Sequence, residues 1–327
     1  MNIKQEILKA FHDHPDQFIS GEELSHTCGC SRTAVWKHIE ELRHEGYEIE
    51  AVRKSGYRLL TAPDSILGEE IMLNLDSRCI GRNVISYDSV MSTQPLAHEA
   101  AVKGAVEGTL IIAEEQTGGK GRMGRPWHSP KGSGIWMSLI LRPDIPLPTA
   151  PQITLLTAVA MAKTMQEALG VEAKIKWPND IFINGKKVCG ILTELNAEAH
   201  QIKYLVVGMG INANLSLQEF PPELREIATS LQIEAGRPIR RANFIQDFCR
   251  TFERLYEGYL EHGFAPIRAA WEANSYTIGR QVQVHSSQTP LSGTAIGLDP
   301  DGVLIVQDAL GQEHKVYSAD VEYDAKK

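Results

Sequence analysis

No apolar run in the 327 residues approaches the roughly 18 that a membrane-spanning helix needs, and the first residues lack the apolar core of a secretory signal. A helical membrane anchor is excluded on that reading, and a cytoplasmic location is expected. Cysteine is scarce. Its five copies, Cys28, Cys30, Cys79, Cys189 and Cys249, are odd in number and scattered, which excludes a disulfide framework and leaves reduced thiols as the expectation. Cys28-Gly29-Cys30 lies close to His26 but has no second Cys/His pair at zinc spacing, so no protein-held metal is expected there. There is no excess of positive charge either. The net charge is -8, which excludes nonspecific nucleic-acid binding by the chain as a whole and confines any DNA contact to a local patch. Internal repeats and low-complexity tracts are absent.

What is present describes a globular protein with 43% hydrophobic and 23% charged residues, long enough for two or three domains. In the first segment, Ile3, Ile7, Leu8 and Phe11 recur at helical spacing. Ser20 with Glu23 opens a second helix, Gly29 turns the chain, and Ser31 opens a third helix with Val35, Ile39 and Leu42 inward and Gly46 as its stop. Helix, turn, helix is followed by alternation at Tyr47, Ile49 and Ala51, a basic turn Arg53-Lys54-Ser55-Gly56, and Tyr57 to Leu60. The pattern predicts a winged helix-turn-helix over 1–62 and a linker over Thr61-Ala62-Pro63-Asp64.

Residues 65–270 predict an α+β domain around a mixed sheet. Gly108 to Glu114 and Ile135 to Leu141 read as buried strands, and Leu205 to Val207 as a short one. Thr149 and Gln152 are expected to box the start of an Ala-rich helix ending at Gly170, with Pro151 in its first turn, and a second long helix spans about Asn243 to Glu261. From 275 to 327 short strands and the turn Asp299-Pro300-Asp301-Gly302 predict a small β-barrel.

Four segments could carry chemistry. Gly118-Gly119-Lys120-Gly121-Arg122-Met123-Gly124-Arg125 interleaves glycines that admit close backbone approach with cations that neutralise phosphate; it is neither a Walker A loop nor a Rossmann fingerprint, and a solvent loop is the alternative. Lys176-Trp177-Pro178-Asn179-Asp180, with Lys186, Lys187 and Gly190 after it, reads equally as a ligand-reading loop or as a turn with a packed tryptophan. Gly208-Met209-Gly210-Ile211-Asn212 follows the Leu205 to Val207 strand, so its glycines mark either close ligand approach or a bulge at a strand end. Ser92-Thr93-Gln94 offers short polar donors and alone means little.

In order and spacing these four segments resemble those of the biotin protein ligases. The resemblance covers essentially the whole chain, including an N-terminal winged helix and an SH3-like C-terminal β-barrel of the family's repressor-type members. It implies an ATP-dependent ligase that forms biotinyl-5′-AMP with Mg²⁺ and transfers biotin to a lysine of a biotin carboxyl carrier protein. It also implies a repressor of biotin-synthesis genes that binds operator DNA, with the adenylate as corepressor and a homodimer formed on ligand or DNA binding. By the same resemblance Ser92, Thr93 and Gln116 bind biotin's ureido ring; Gly119, Lys120, Arg122 and Gly124 belong to the loop over the adenylate; Gly190 and Gly208 line the pocket. Lys187 touches carboxylate and α-phosphate, Asn212 is a phosphate-side ligand, and Lys187, Arg122 and Asp180 form the expected catalytic set, Asp180 orienting or deprotonating the acceptor amine. Two positions depart from the family: Lys120 replaces arginine, losing the guanidinium fork while keeping the charge, and Met91 stands where an aspartate usually precedes the polar triplet, with Asp88-Ser89 just upstream.

Lipoate ligases share the catalytic fold, and a ligand-sensing regulator without catalysis would share the domain order; the glycine-arginine loop together with Lys176 to Asp180 favours the biotin enzyme. For DNA, residues 1–62 hold eight Lys/Arg against ten Asp/Glu, so contacts fall to Ser31, Arg32, Thr33, Lys37, Arg53 and Lys54, with Arg43 and Arg58 as further cations.

Overall fold

The computed structural model describes residues 3–73, 75–285, 291–317 and 320–323. Three helices, α1 (Ile3–Asp13), α2 (Gly21–Thr27) and α3 (Arg32–His44), precede a hairpin of β1 (Glu48–Val52) and β2 (Gly56–Thr61). The two serines cap as expected: the Ser20 hydroxyl accepts the Glu23 N–H at 3.0 Å, and that of Ser31 accepts the Ala34 N–H at 3.2 Å. Ile7, Leu8, Leu24, Val35, Ile39 and Leu42 close a small core of their own. Gly56 (φ +110°) lets the wing dock on the helices, since a Cβ there would lie 2.0 Å from the Ile19 carbonyl oxygen.

After α4 (Gly68–Met72), the central sheet is built from β3 (Val84–Val90), then, beyond α5 (Thr93–Val102), β4 (Leu110–Gln116) and β5 (Ile135–Leu141). Its remaining strands follow α6 (Pro151–Leu169): β6 (Lys174–Lys176), β7 (Asp180–Ile183), β8 (Lys186–Glu198) and β9 (Gln201–Ile211). The spatial order is β3-β4-β5-β9-β8-β7-β6, with β3 and β4 parallel and every other pair antiparallel. The strands bury both faces by simple alternation. Leu110, Ile112, Leu139 and Leu141 face α6, whereas Ile111 and Ile140 face Ala97 and Ala101 of α5. Three further helices, α7 (Leu231–Ala235), α8 (Arg241–His262) and α9 (Ala265–Ala273), complete this body.

Two local expectations are corrected and one helix is added. α6 starts without a capping box, because the Thr149 hydroxyl donates instead to the Pro146 carbonyl and Gln152 is buried against the Asp301 carbonyl and the Tyr259 hydroxyl. The strand at Leu205 is not short. β9 runs to Ile211, so Gly208 and Gly210 lie inside a paired strand rather than at its end. α9, unforeseen in the sequence, buries Ile267 and Trp271.

The C-terminal strands β10 (Gln281–His285), β11 (Leu291–Leu298), β12 (Leu304–Gln307), β13 (Glu313–Val316) and β14 (Asp320–Tyr323) pair antiparallel in the order β13-β12-β11-β10-β14. Among the described residues no pairing joins β13 to β14, so the expected barrel is present as an open five-stranded sheet. Val282, Ala295, Leu304 and Val306 share one apolar core with the central body, which fixes the two together. Asp299 makes the expected turn, its carboxylate accepting the Asp301 and Val303 N–H groups at 2.9 Å each. No described helix is long and apolar enough to cross a membrane.

Candidate active site

Two chambers lie over the paired strands β8 and β9. The smaller, about 40 Å³, is lined by Ser92, Thr93, Gln94, Gln116, Lys120, Ser138 and Gly208 among others. Its polar groups form one network. Thr93 donates its N–H (2.9 Å) and its hydroxyl (3.2 Å) to Gln116 Oε1; the Ser138 hydroxyl lies 2.8 Å from that of Thr93 and donates to Gln94 Oε1 at 2.9 Å. Gln94 Nε2 reaches the Leu192 and Val206 carbonyls at 3.2 Å each, and Gln116 Nε2 the Ser129 hydroxyl at 3.2 Å. Ser92 is the N-cap of α5. Apart from Lys120 the lining that bonds is neutral, and it suits a neutral ligand that both donates and accepts. Gln94 and Ser138 enter this set only through the fold: the strand pairing sets Ser138 opposite Gly208, where a Cβ would come within 2.5 Å of Gln94 Oε1.

The larger chamber, about 590 Å³, carries the charge. Arg122, Arg125, Lys176, Lys187, Asp180, Asn179, Gly190 and Asn212 line it. Arg122, in a single 3₁₀ turn, donates to Asn179 Oδ1 at 3.3 Å, which links the glycine-arginine loop to the turn after the cis Trp177–Pro178 peptide. Lys187 Nζ lies 2.7 Å from Asp180 Oδ1, both side chains mostly withdrawn from solvent. Asn212 is buried, donating to the Thr229 carbonyl at 3.0 Å. Gly119 lines neither chamber. Its carbonyl accepts the Trp127 N–H at 2.9 Å, so it positions the loop. Gly124 (φ +74°) and exposed Met123 form the outer tip. On β8, Cys189 is fully buried, and burial, with the charge of Asp180 second, pushes its thiol up, so it is no nucleophile at neutral pH.

Trp127 and Leu192 line both chambers. The indole rests on the cross-strand pair Gly190–Gly210: a Cβ on Gly210 would lie 2.4 Å from Trp127 Nε1, and one on Gly190 3.1 Å from Cζ3. Lys187 Nζ stands 5.1 Å from the ring centroid. Nε1 lies over Gly210, buried without a hydrogen-bond partner among the described residues. Sequence reading passed over Trp127, although the glycines at 190 and 210 are its seat. Gly210→Ala is expected to unseat the indole and to weaken binding of the small chamber's ligand about fivefold or more, as overpacking of a close contact costs about 1–3 kcal/mol. Titration calorimetry checks this, and an affinity within about twofold of wild type would remove the glycine floor from the site.

Residues 87–212 match the Biotin/lipoate A/B protein ligase family, 4–58 an HTH domain, and 277–323 the Biotin protein ligase C terminal domain. The chain is 48% identical to the bifunctional ligase/repressor BirA of Bacillus subtilis over 98% of both chains. It belongs to the bifunctional ligase/repressor family of biotin protein ligases. The Escherichia coli bifunctional ligase/repressor BirA is 29% identical over 89% of this chain and 88% of its own. Among solved structures, a biotin protein ligase from Aquifex aeolicus in complex with biotin and ATP superposes with a TM-score of 0.65 at 26% identity, covering 75% of this chain and all of that one (100%).

In this ligase/repressor the helix-turn-helix exposes one face of α3. Ser31, Arg32, Thr33 and Lys37 are exposed there, and Arg53 and Lys54 are exposed at the wing tip. Arg32 pairs with Glu22, and Lys37 approaches Glu41 at 3.9 Å. Two further cations are engaged inside the domain. Arg43 donates to the Ile49 carbonyl and Glu40, and Arg58 to Glu50 while lying 4.6 Å over the Phe18 ring. Trp36, 55% exposed among Thr33 and Lys37, is an apolar member of that face which charge counting could not find.

Proposed function

We propose that the small chamber takes the ureido ring of biotin and the large one ATP, and that the acid's carboxylate meets the α-phosphorus where the chambers join. The observation that carries this reading is their shared wall, Trp127 and Leu192, between a mostly neutral hydrogen-bonding slot and a cationic cleft. Ser92, Thr93 and Gln116 would read the ring, with Gly208 and Gly190 as floor and Lys120 and Gly119 in the loop at its mouth. At roughly 10–15 Å³ per water the slot holds about three, so its lining must open for a bicyclic acid to enter.

In the first step a carboxylate oxygen bonds to the α-phosphorus and the bond to the bridging oxygen of pyrophosphate breaks. The chain supplies position and charge: Lys187 faces the forming anhydride, while Arg122 and Asn212 lie on the phosphate side. Among the described residues no cluster of three His, Cys, Asp or Glu could cage a metal, so Mg²⁺ is assigned to the substrate, arriving on the triphosphate. In the second step an acceptor lysine attacks the acyl carbon and AMP leaves. Asp180 would orient or deprotonate that amine once Lys187 turns to the anhydride.

The acceptor is a biotin carboxyl carrier protein in the cytoplasm. Residues 1–62 form the operator-binding unit, 65–270 the catalytic unit and 275–327 the C-terminal unit; biotinyl-5′-AMP acts as corepressor, and a homodimer engages the operator. The reaction is tested by incubating the chain with carrier protein, biotin and ATP. Mass spectrometry is expected to find the biotinyl mass on one carrier lysine only with all three present, and no adduct would reject the reading.

A further inference from the structure

Asp64, in the linker, and Arg241, at the start of α8, are far apart in sequence and outside the four motif segments. Arg241 is buried, 1% exposed, yet all five of its guanidinium N–H groups are engaged. Nε donates to Asp64 Oδ2 (2.8 Å); Nη1 to Glu114 Oε2 (2.8 Å) and the Gly134 carbonyl (2.9 Å); Nη2 to the Asp64 carbonyl (2.5 Å) and Glu114 Oε1 (3.4 Å). Asp64 Oδ1 accepts the Arg241 backbone N–H at 2.9 Å, and Oδ2 also accepts from Asn214 Nδ2 at 2.9 Å. Arg240, beside it, donates to the Ala62 carbonyl.

These bonds have two ends at the ligand site. Glu114 lies on β4 two residues before Gln116, and Asn214 two residues after Asn212. Asn214 is itself fixed, with its N–H on the Ser133 carbonyl and its side chain paired with the Ile239 backbone. The third end is the winged helix, whose last strand closes at Thr61, three residues before Asp64.

We infer that Asp64 and Arg241 are a positioning pair that ties the segment carrying the DNA-binding domain to both walls of the ligand site. The inference rests on the function proposed above and adds its route of regulation. A ligand that draws Gln116 and Asn212 together moves Glu114 and Asn214, and both are bonded to the same linker carboxylate or to the cation it neutralises. Coupling between sites requires an element that both sites bias, and the linker at Asp64 is such an element.

Asp64 is 30% exposed, and Asp64→Asn keeps its shape while removing the charge and one of its two accepting oxygens; Arg241→Lys keeps the charge and removes the fork. The experiment uses the full chain and a duplex from the promoter of its own biotin-synthesis genes. The ratio of DNA-binding midpoints without and with biotin plus ATP is read by fluorescence anisotropy, beside the rate of adenylate formation. Wild type is expected to show a ratio of about ten or more. Both variants should form adenylate within about threefold of wild type with the ratio reduced below about three, an effect that loss of folding would not produce. A wild-type ratio retained by both variants overturns the assignment and leaves the proposed function intact. A wild-type ratio of one overturns the coupling itself, and absent adenylate formation in wild type overturns the proposed function with it.

Discussion

Lys187→Ala is expected to slow biotin-dependent adenylate formation at least about tenfold while the chain stays folded. A cation placed where negative charge develops, in a site shielded from water, is worth a few kcal/mol to the transition state. On the proposed reading Lys187 is that cation: it stands between Asp180 at 2.7 Å and the Trp127 ring at 5.1 Å, in the wall of the cationic chamber. Its backbone holds β8 independently, with N–H on the Ile227 carbonyl and its own carbonyl accepting from Thr229, so truncation leaves the strand in place. The alanine variant strands the Asp180 carboxylate, which confuses lost catalysis with local repulsion. Lys187→Ala combined with Asp180→Asn separates them, because only the repulsion is relieved by the second change. Single-turnover rates at saturating biotin and ATP check this. Rates within about twofold of wild type for Lys187→Ala would take the lysine out of the reaction.

Arg241→Ala is expected to lower stability by about 3–5 kcal/mol, since it leaves the carboxylates of Asp64 and Glu114 facing one another without their cation. Glu114 is 17% exposed, too little for water to replace the two charge-assisted bonds it accepts from Arg241. The loss is read from the urea midpoint of the central body. It should shrink when Glu114→Gln is added, and an unchanged midpoint would contradict the reading of this cluster as a structural anchor.

The parts legible in the sequence are those written in local signals. Two serine caps, the positive-φ glycines at 29 and 46 and a 3.6-residue apolar period identify the winged helix without reference to the rest of the chain. The central sheet was legible as a class, because Ile135 to Leu141 is buried at every position and can only be an interior strand. Non-local choices were not. Thr149 and Gln152 carry a helix-start spacing, but Gln152 is drawn to the C-terminal turn at Asp301, which no local rule contains. Gly208 and Gly210 look like the end of a strand because glycine weakens one; inside β9 they are tolerated because Gln94 and Trp127 occupy the space a side chain would take.

The candidate site divides the same way. Ser92, Thr93, Gln116, Lys120, Arg122, Asp180, Lys187, Gly190, Gly208 and Asn212 all line one chamber or the other, although spacing alone leaves each segment ambiguous. Trp127 was missed because one aromatic after a charged loop has no distinctive period, and Arg241 because burial of a cation depends on carboxylates far away in sequence. Met91 is 73% exposed and lines neither chamber, while Asp88 upstream pairs with Lys131 at 2.7 Å, so neither supplies the missing aspartate.

The most direct test of the account is acid-dependent exchange of labelled pyrophosphate into ATP by the purified chain, with biotin and lipoate compared at equal concentration. Formation of an acyl-adenylate from biotin predicts exchange with biotin and ATP, little or none with lipoate, and none without an acid. Exchange that ignores biotin, or that lipoate supports better, would contradict the assignment of the two chambers.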